Sequence, residues 1–496
     1  MKKLLLPATF LVAASQLLSR VLGIYRDHIF ADIFGATSGS GIFQLDTYYA
    51  AFRLPDLVYS LLILGTLSAA FVPLLAEKGE SALSEFASNV LNVLLVGVLI
   101  LSAGIFVFAE PLTKLITPGF NPEQIALTAQ LLRIQLLAPI FFSFSAVFGG
   151  LAQHFHRFAW YSLAPILYNA GIIFGALAFG KEFGVFGLSW GVALGAFLHA
   201  VIQFPGIFQG GFRWQAAFSL GQLREFFRLA LPRVISVVAG QLQLVAITIF
   251  ASLLGGGALA VFNYAWNLAS LPLGVVGVAF AVTSFAALSK LADNPEKFRV
   301  KFHENFLGIF FWVIPASVGL FLLRTEITQV ILQTGEFGAN DVSLVASSLA
   351  VFAFAVPAVS LLPLLNNVFF ARKNVRIPLL AGAISLGVVV LSALFLTDES
   401  AAVTLAAAYS RAAIIAAGTL LCFLPRALRR VPLVIFGKIL LASAVLGGLV
   451  LGLRDVWVTE SFFQLLWKVL VIIGFGGIFY LASAKFLRLK PGGRSD

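Results

Sequence analysis

Apolar runs of about 20 residues recur along the whole chain and constrain its fold more than any other feature. Hydrophobic residues make up 60% of the 496 positions, and charged residues make up only 11%. A helix of this length spans the roughly 30 Å hydrocarbon core of a bilayer. The sequence therefore predicts an all-α polytopic membrane protein.

Fourteen such runs are predicted to cross the membrane. One alternate set of connections and termini holds 22 Lys and Arg, and the other set holds five. Because basic loops stay on the cytoplasmic side, both termini are predicted to be cytoplasmic, which requires an even number of spans. The net charge of +11 then reflects loops that meet anionic lipid rather than nucleic acid. The spans are approximately 4–34, 46–76, 88–109, 124–153, 159–180, 184–208, 226–254, 258–289, 302–323, 342–371, 377–397, 401–424, 432–453 and 461–487.

The two halves of the chain resemble each other. TYYAAFRLP at 47–55 is similar to FNYAWNLASLP at 262–272, with an offset of 215 residues from Tyr49 to Tyr264, and two proline pairs match at nearly the same offset. An offset that contains six spans gives both halves the same orientation, as in transporters built from parallel repeats. The sequence predicts an N-lobe at 1–215, a C-lobe at 216–425, and two further helices with a basic tail at 426–496.

Seven charged residues lie in or beside strongly apolar sequence early in the chain. A charge at bilayer depth costs about 2.5–3.5 kcal/mol on insertion scales unless it faces protein or water. Such residues normally line a polar cavity or a substrate path; the alternative is that they snorkel to the headgroups, which suits Asp32 and Asp56. Spacings of seven place Arg20 with Asp27, and Asp46 with Arg53, on shared helix faces. The seven residues are Arg20, Arg26, Asp27, Asp32, Asp46, Arg53 and Asp56.

Three uses of these charges are compatible with the sequence. Arg20, Arg26 and Arg53 suit a phosphate or diphosphate, because guanidinium binds phosphate oxygens through two parallel bonds and stays charged in a partly dry site. Asp27 and Asp46 would then balance the cations when substrate is absent. The carboxylates would alternatively carry a proton or sodium ion, or the charges would form buried ion pairs that hold the first two helices together.

The sequence contains no arrangement of histidine, cysteine or phosphate-binding-loop residues that is typical of an enzyme active site. His154 and His156 are two apart and face different sides of a helix, which makes them poor metal partners. The sequence contains no phosphate-binding loop of the G-x-x-x-x-G-K-[ST] type, and the single Cys422 offers neither a disulfide nor a cysteine metal site. We therefore expect no enzyme activity, no cofactor and no metal.

The segments SRVLGIYRDHIFADIFG at 19–35, DTYYAAFRLPD at 46–56 and LSAAFVPLLAE at 67–77 carry a family resemblance. They resemble the MurJ/MviN lipid II flippase family, within the multidrug/oligosaccharidyl-lipid/polysaccharide exporter superfamily. The similarity extends over spans one to twelve, and the count of 14 spans agrees with it.

The resemblance implies two six-helix lobes around a central cavity and export of an undecaprenyl-diphosphate-linked peptidoglycan precursor by alternating access. It places the protein in the bacterial cytoplasmic membrane, as a monomer that meets membrane lipid and a coupling ion or the membrane potential. Arg20 and Arg26 match cavity arginines important for transport, and Asp27, Asp46 and Arg53 fall on motif positions of similar charge. Helices thirteen and fourteen would form a groove for the lipid tail.

The chain departs from the family pattern at five positions. Tyr59, Ser60 and Leu64 stand where the family has a basic pair and then an acidic residue, and Trp266 and Asn267 stand where it has Asp-Arg. The loss of that arginine removes one diphosphate contact, and leaves Asn267 as the corresponding substrate-binding candidate. Two alternatives to lipid II transport follow: export of another polyprenyl-linked oligosaccharide, and a membrane-embedded glycosyl or acyl transferase.

Overall fold

The computed structural model describes residues 2–37, 45–64, 71–77, 80–274, 280, 284, 287–291, 293–394, 401–430, 432–457 and 461–489. Within these residues the chain forms helices joined by short turns, and it divides into two compact units, Met1–Ala260 and Val261–Asp496. The protein is an all-α membrane protein, as the sequence predicts.

The first unit is built from a long N-terminal helix, a broken second span and a set of antiparallel helices. The described residues of the second predicted span form two short α-helices, a π-helix at Ser60–Leu64, and another short helix at Val72–Glu77. The α-helices are α1 (Lys2–Phe34), α2 (Leu45–Ala51), α3 (Arg53–Tyr59), α4 (Val72–Glu77), α5 (Glu80–Val107), α6 (Ala109–Ile116), α7 (Pro122–Gln135), α8 (Leu137–His154), α9 (Phe158–Phe183), α10 (Val185–Val201), α11 (Phe204–Phe208) and α12 (Leu220–Leu254).

The second unit begins within a helix that starts just before its boundary. That helix is α13 (Ala258–Pro272). The helices that follow are α14 (Pro295–Leu322), α15 (Arg324–Leu332), α16 (Ala339–Ala371), α17 (Arg376–Leu394), α18 (Ala401–Phe423), α19 (Arg426–Arg429), α20 (Leu433–Arg454) and α21 (Phe462–Phe486).

Nine helical segments in the described part of the chain are long and apolar enough to cross a bilayer. They correspond to nine of the predicted spans. The other five predicted spans fall on α1, on α2 to α4, on α12, on α13 and on α17. The total of 14 therefore agrees with the helices but stays a prediction.

Local sequence signals set several helix starts. Asn121 Oδ1 accepts from the Gln124 backbone N–H, and the Asn121 backbone N–H donates to Gln124 Oε1, with Pro122 in the first turn of α7. Ser461 and Gln464 form the same reciprocal arrangement at α21. Each pair satisfies backbone N–H groups that a helix leaves without partners at its first turn.

Helices α9 and α10 approach closely because glycines face each other along their contact. A Cβ atom at Gly171 would lie 2.4 Å from Gly195 Cα, and one at Gly175 would lie 2.5 Å from Gly191 Cα. No real side chain fits at such distances. Small residues allow the two helix backbones to come this close. In a membrane, where the hydrophobic effect does not drive helices together, such close van der Waals packing stabilises their association.

The segment between α11 and α12 is bound to the side of α5. Asn92 donates through Nδ2 to the carbonyls of Gln215 and Ala217, at 3.0 Å each. Asn89 donates to the Ser219 carbonyl and accepts from its N–H. These bonds fix the start of α12 on the first unit, and α12 also packs against α3, α5 and α6.

The compact units therefore divide after Ala260 rather than after residue 215. The predicted lobes rest on sequence similarity between the halves, which is a different criterion from compactness. The lobe boundaries at 215 and 425 stay a prediction.

Candidate functional site

Arg26 is held by side chains from two helices. Its Nε and Nη2 donate to Asp27 Oδ1 at 3.1 and 2.8 Å, and its Nη1 donates to Asn169 Oδ1 at 3.5 Å. The guanidinium also lies over the Phe30 ring, 5.8 Å from its centroid. Three of the five guanidinium N–H groups thus have partners among the described residues. The Arg26 side chain remains 23% exposed, so the other two N–H groups can meet a ligand.

Asn169 on α9 sets the position of Arg26 and was not predicted from the sequence. Its Nδ2 donates to the Ser19 hydroxyl at 3.1 Å and to the Pro165 carbonyl at 3.1 Å. These bonds turn the amide oxygen toward Arg26. Gly23 lies beside this amide, since a Cβ there would be 3.9 Å from Asn169 Oδ1.

Arg20 lies two turns before Arg26 on the same helix and is partly exposed. Within the described residues its guanidinium makes no hydrogen bond or ion pair. An arginine in this state keeps all five donors for solvent or for a ligand.

Arg53 is buried, with 6% of its surface exposed, at the start of α3. Its Nε donates to the Thr248 hydroxyl on α12 at 2.8 Å. Thr248 in turn donates to the Leu244 carbonyl, so the hydroxyl has a defined orientation. The sequence could not identify Thr248, because 195 residues separate it from Arg53.

Asp46 is buried and its carboxylate accepts from the main chain. Oδ2 accepts from the Gly257 N–H at 2.9 Å, and Oδ1 accepts from the Ala260 N–H at 2.8 Å. These N–H groups belong to the start of α13, where a carboxylate also opposes the positive end of the helix dipole. Gly257 has φ +88°, and a Cβ there would lie 2.6 Å from the Ala36 carbonyl oxygen. The closest partners of Asp46 are thus backbone groups, and its predicted role as a counterion stays a prediction.

Two tyrosines link these charges. The Tyr49 hydroxyl lies within electrostatic range of Asp27, Arg26, Arg53 and Asp46. The Tyr48 ring packs edge-on against Phe30, with centroids 5.6 Å apart. Four of the six predicted site residues therefore lie near α2 in the first unit: Arg26, Asp27, Asp46 and Arg53. Arg20 lies nearer the start of α1.

Asn267, the sixth predicted residue, lies on α13 in the second unit. Its carbonyl accepts from the Ser270 hydroxyl at 3.0 Å. The neighbouring Trp266 packs against Tyr409 and Phe352, with ring centroids 4.9 and 5.4 Å away. This part of α13 is aromatic where the first half of the chain carries Arg53.

The second unit contains an apolar groove formed by α13, α14, α20 and α21. Its cavity is about 340 Å³ and is lined by residues that include Trp312, Leu446, Gly477 and Tyr480. The Tyr480 hydroxyl is not available to the groove, because it donates to the Phe311 carbonyl at 2.6 Å. An ion pair between Arg454 and Glu326, at 2.6 Å, ties the end of α20 to α15.

Residues 30–475 match the family described as lipid II flippase MurJ. The chain belongs to the MurJ family. Relatives named "Probable lipid II flippase MurJ" include one from Rhizobium tropici, 32% identical over 399 residues, which covers 76% of this chain and 73% of the relative. Another, from Thermotoga maritima (strain ATCC 43589 / DSM 3109 / JCM 10099 / NBRC 100826 / MSB8), is 29% identical over 483 residues, with 95% and 94% covered.

Solved structures agree with membership of the MurJ family. The structure titled "Lipid II flippase MurJ, inward closed conformation" has a TM-score of 0.80 and 25% identity, covering 96% of this chain and 99% of that one. An inward-facing MATE family transporter of the MOP superfamily has a TM-score of 0.63 at 18% identity, over 82% of this chain and 95% of that one, and supports the fold alone. The family is one of flippases, not of enzymes.

Proposed function

We propose that this protein flips lipid II across the bacterial cytoplasmic membrane by alternating access, and that Arg26 and Arg20 bind its diphosphate. The observation that supports this most directly is the state of Arg26. Its guanidinium is oriented by Asp27 and Asn169, yet two N–H groups stay available. A diphosphate would meet a pre-aligned donor group and would lose little affinity to ordering the side chain.

The lipid tail would occupy the apolar groove of the second unit. Its lining is almost entirely hydrocarbon and aromatic, which suits a polyprenyl chain and excludes the glycan. Helices α20 and α21, which border it, have no counterpart in the predicted repeat.

The finer details of this function are part of the same proposal. Both termini face the cytoplasm, as the distribution of basic residues predicts. The protein acts as a monomer, in which two parallel lobes surround the transport cavity. A coupling ion or the membrane potential drives the cycle.

Arginine variants test the diphosphate proposal in liposomes that contain the purified protein and lipid II. Loss of a charge-assisted hydrogen bond costs about 1.5–3 kcal/mol, so Arg26→Ala and Arg20→Ala should each slow flipping by about tenfold or more. Arg26→Lys should recover part of the rate, because lysine retains the charge but not the planar fork.

Arg133→Ala is the matched control. Arg133 donates from Nε to the Phe106 carbonyl at 3.2 Å and lies outside the charged cluster. This variant should flip at the wild-type rate. Wild-type flipping by both Arg20→Ala and Arg26→Ala, at normal expression, would mean that the arginines are structural.

A second candidate substrate is another polyprenyl-linked oligosaccharide. Trp266, which packs against Phe352 and Tyr409, and the uncharged Asn267 favour it, because neither side chain supplies a cation for the second diphosphate contact that lipid II would use. Depletion in the native host distinguishes the two: the lipid-linked precursor that accumulates is the substrate.

A further inference from the structure

Asp56 lies on α3, deep in the predicted second span. It is eleven residues beyond Leu45, where α2 begins. At 1.5 Å per residue this is about 16 Å of helix from the start of the predicted span, or about half of a hydrocarbon core of roughly 30 Å. A carboxylate at that depth is not explained by snorkelling, since an aspartate side chain is too short to reach the headgroups.

The carboxylate of Asp56 makes no hydrogen bond or ion pair with any described residue. Arg53, one turn earlier, directs its Nε–H to Thr248 instead. The positions one turn later, where a cation would pair with Asp56, hold Tyr59 and Ser60. The Ser60 hydroxyl accepts from Gln241 Nε2 at 2.8 Å.

Among the described residues, two tyrosine hydroxyls and one arginine interact electrostatically with Asp56. Its charge lies within electrostatic range of the Tyr59 and Tyr168 hydroxyls. Arg53 is the charged group that acts on Asp56 from its own helix. Asp56 is partly exposed.

Among the neighbouring elements, α9 contributes Tyr168, and α8 presents the Phe142 ring, 4.9 Å from the Tyr59 centroid. His199 on α10 lies behind Tyr168, with ring centroids 6.3 Å apart. Arg26 on α1 acts on Tyr168 from the other side. The groups on which a change of charge at Asp56 acts directly are therefore the Tyr59 and Tyr168 hydroxyls and Arg53.

We infer that Asp56 binds and releases a proton during transport, and that this proton couples to the flipping cycle. The inference rests on the proposed flippase function. Proton binding converts the carboxylate to a neutral carboxyl, which removes a charge from mid-membrane and creates one O–H donor. The step needs no other reactant.

A proton suits this site better than a metal ion. A hard cation needs several oxygen ligands, with six to eight around Ca²⁺. Within the described residues no group of three or more His, Cys, Asp or Glu could hold a metal ion. One carboxylate beside tyrosine hydroxyls is sufficient for a proton.

The backbone next to Asp56 departs from regular α-helical geometry, so a change of charge at Asp56 can alter the conformation of the segment that follows α3. The π-helix at Ser60–Leu64 follows α3 directly. Such segments depart from regular helical hydrogen bonding and are frequent at functional sites. A change of charge at Asp56 also changes its electrostatic interaction with Arg53, which lies on the same helix.

The test uses the full chain in lipid II liposomes with the membrane potential clamped at zero. One pH unit is a tenfold change in proton activity, so a gradient of one unit should change the wild-type flipping rate by up to about tenfold. Reversing the gradient should reverse the effect. Asp56→Asn should flip at a rate that the gradient does not change, and Glu110→Gln, at an exposed carboxylate, should respond as the wild type does.

A second measurement does not depend on flipping. Infrared spectra recorded across a pH titration should contain a carboxyl C=O band that appears on acidification in the wild type and in Glu110→Gln, and that is absent in Asp56→Asn. Asp56→Glu should retain the band at a shifted frequency, which tests the site even if the asparagine variant folds poorly.

The outcomes separate the two proposals. A wild type that flips lipid II without any response to the gradient, an Asp56→Asn variant that keeps the response, or an infrared band unchanged by Asp56→Asn would each overturn the inference and leave the flippase proposal intact. A wild type that fails to flip lipid II would refute the proposed function, and the infrared titration would still decide whether Asp56 binds a proton.

Discussion

At the scale of single residues, the charged side chains differ in whether their hydrogen-bonding groups are already used within the protein. Arg26 and Arg20 keep unused donors, whereas Asp46 gives both carboxylate oxygens to backbone N–H groups. The sequence marks all three as charges in apolar surroundings and cannot tell them apart. The difference depends on which backbone lies opposite, and Ala260 is 214 residues from Asp46.

Asp46→Ala tests this structural role. It leaves the Gly257 and Ala260 N–H groups buried without an acceptor, at about 1–3 kcal/mol each. We expect a free energy of unfolding lower by about 2–6 kcal/mol in total. Asp46→Asn keeps one acceptor oxygen and should lose about half as much. Thermal unfolding in detergent measures both.

The control is Asp293→Ala, which removes an exposed carboxylate and should leave the melting temperature unchanged. If Asp46→Ala melts with the wild type but no longer flips lipid II, the aspartate acts on substrate rather than on α13. That result would restore the predicted counterion role of Asp46.

Some site residues were beyond the reach of sequence reasoning. Asn169 and Thr248 are ordinary polar residues within apolar helices, and their partners Arg26 and Arg53 are 143 and 195 residues away. Periodicity and charge density identify a residue from its neighbours in sequence. They do not identify a partner that only packing brings near.

At the scale of helices, local signals predicted much of what the structure contains. The apolar runs predicted the long helices, whereas the Asn-Pro and Ser-x-x-Gln patterns at the starts of α7 and α21 were recognised only in the structure. The break of the second span into α2, α3 and a π-helix was not predicted, because Pro55 signals a bend but not its form.

The contact between α9 and α10 gives a prediction for helix packing. A Cβ at Gly175 would also lie 2.5 Å from the Gly187 carbonyl oxygen, and both of its close neighbours are backbone. Backbone atoms cannot turn aside as a flexible side chain would. Gly175→Val should therefore force the helices apart and destabilise the protein by several kcal/mol, of the order seen for overpacked or strained cores. Thermal unfolding and expression level measure the effect.

Gly104→Ala is the matched control for that contact. Gly104 lies within α5, and a Cβ there would meet nothing within 4 Å. Alanine favours a helix over glycine by about 0.8–1 kcal/mol, so this variant should be as stable as the wild type or more so. Equal melting temperatures for Gly175→Val and the wild type would show that α9 and α10 can separate without cost.

At the scale of the whole molecule, the halves of the chain resemble each other in sequence but differ in chemistry. The first half carries the arginines and aspartates of the candidate site, and residues 239–289 contain no Asp, Glu, Lys or Arg. The two compact units divide at Ala260, because hydrogen bonds from Asn89 and Asn92 fix the start of α12 to the first unit. Sequence similarity between the halves does not predict such long-range hydrogen bonds, so it does not predict where the compact units divide.

The different chemistry of the second unit leads to a prediction about the lipid tail. Gly477 on α21 lines the apolar groove, and a Cβ there would meet nothing within 4 Å. The Cβ of Gly477→Trp therefore fits without a clash, and we expect its ring to fill the space proposed for the polyprenyl chain. Each buried methylene contributes about 0.8 kcal/mol, so displacing two or more should weaken lipid II binding by about tenfold.

Chain length makes the test specific. Gly477→Trp should slow flipping of full-length lipid II, and should leave a short-chain analogue nearly unaffected, because a short prenyl chain does not depend on the groove. Gly474→Trp is the control, since it adds the same ring to α21 at an open position that does not line the cavity. If Gly477→Trp slows both substrates equally, or if Gly474→Trp has the same effect, the tail binds elsewhere and the groove serves only the packing of α20 and α21.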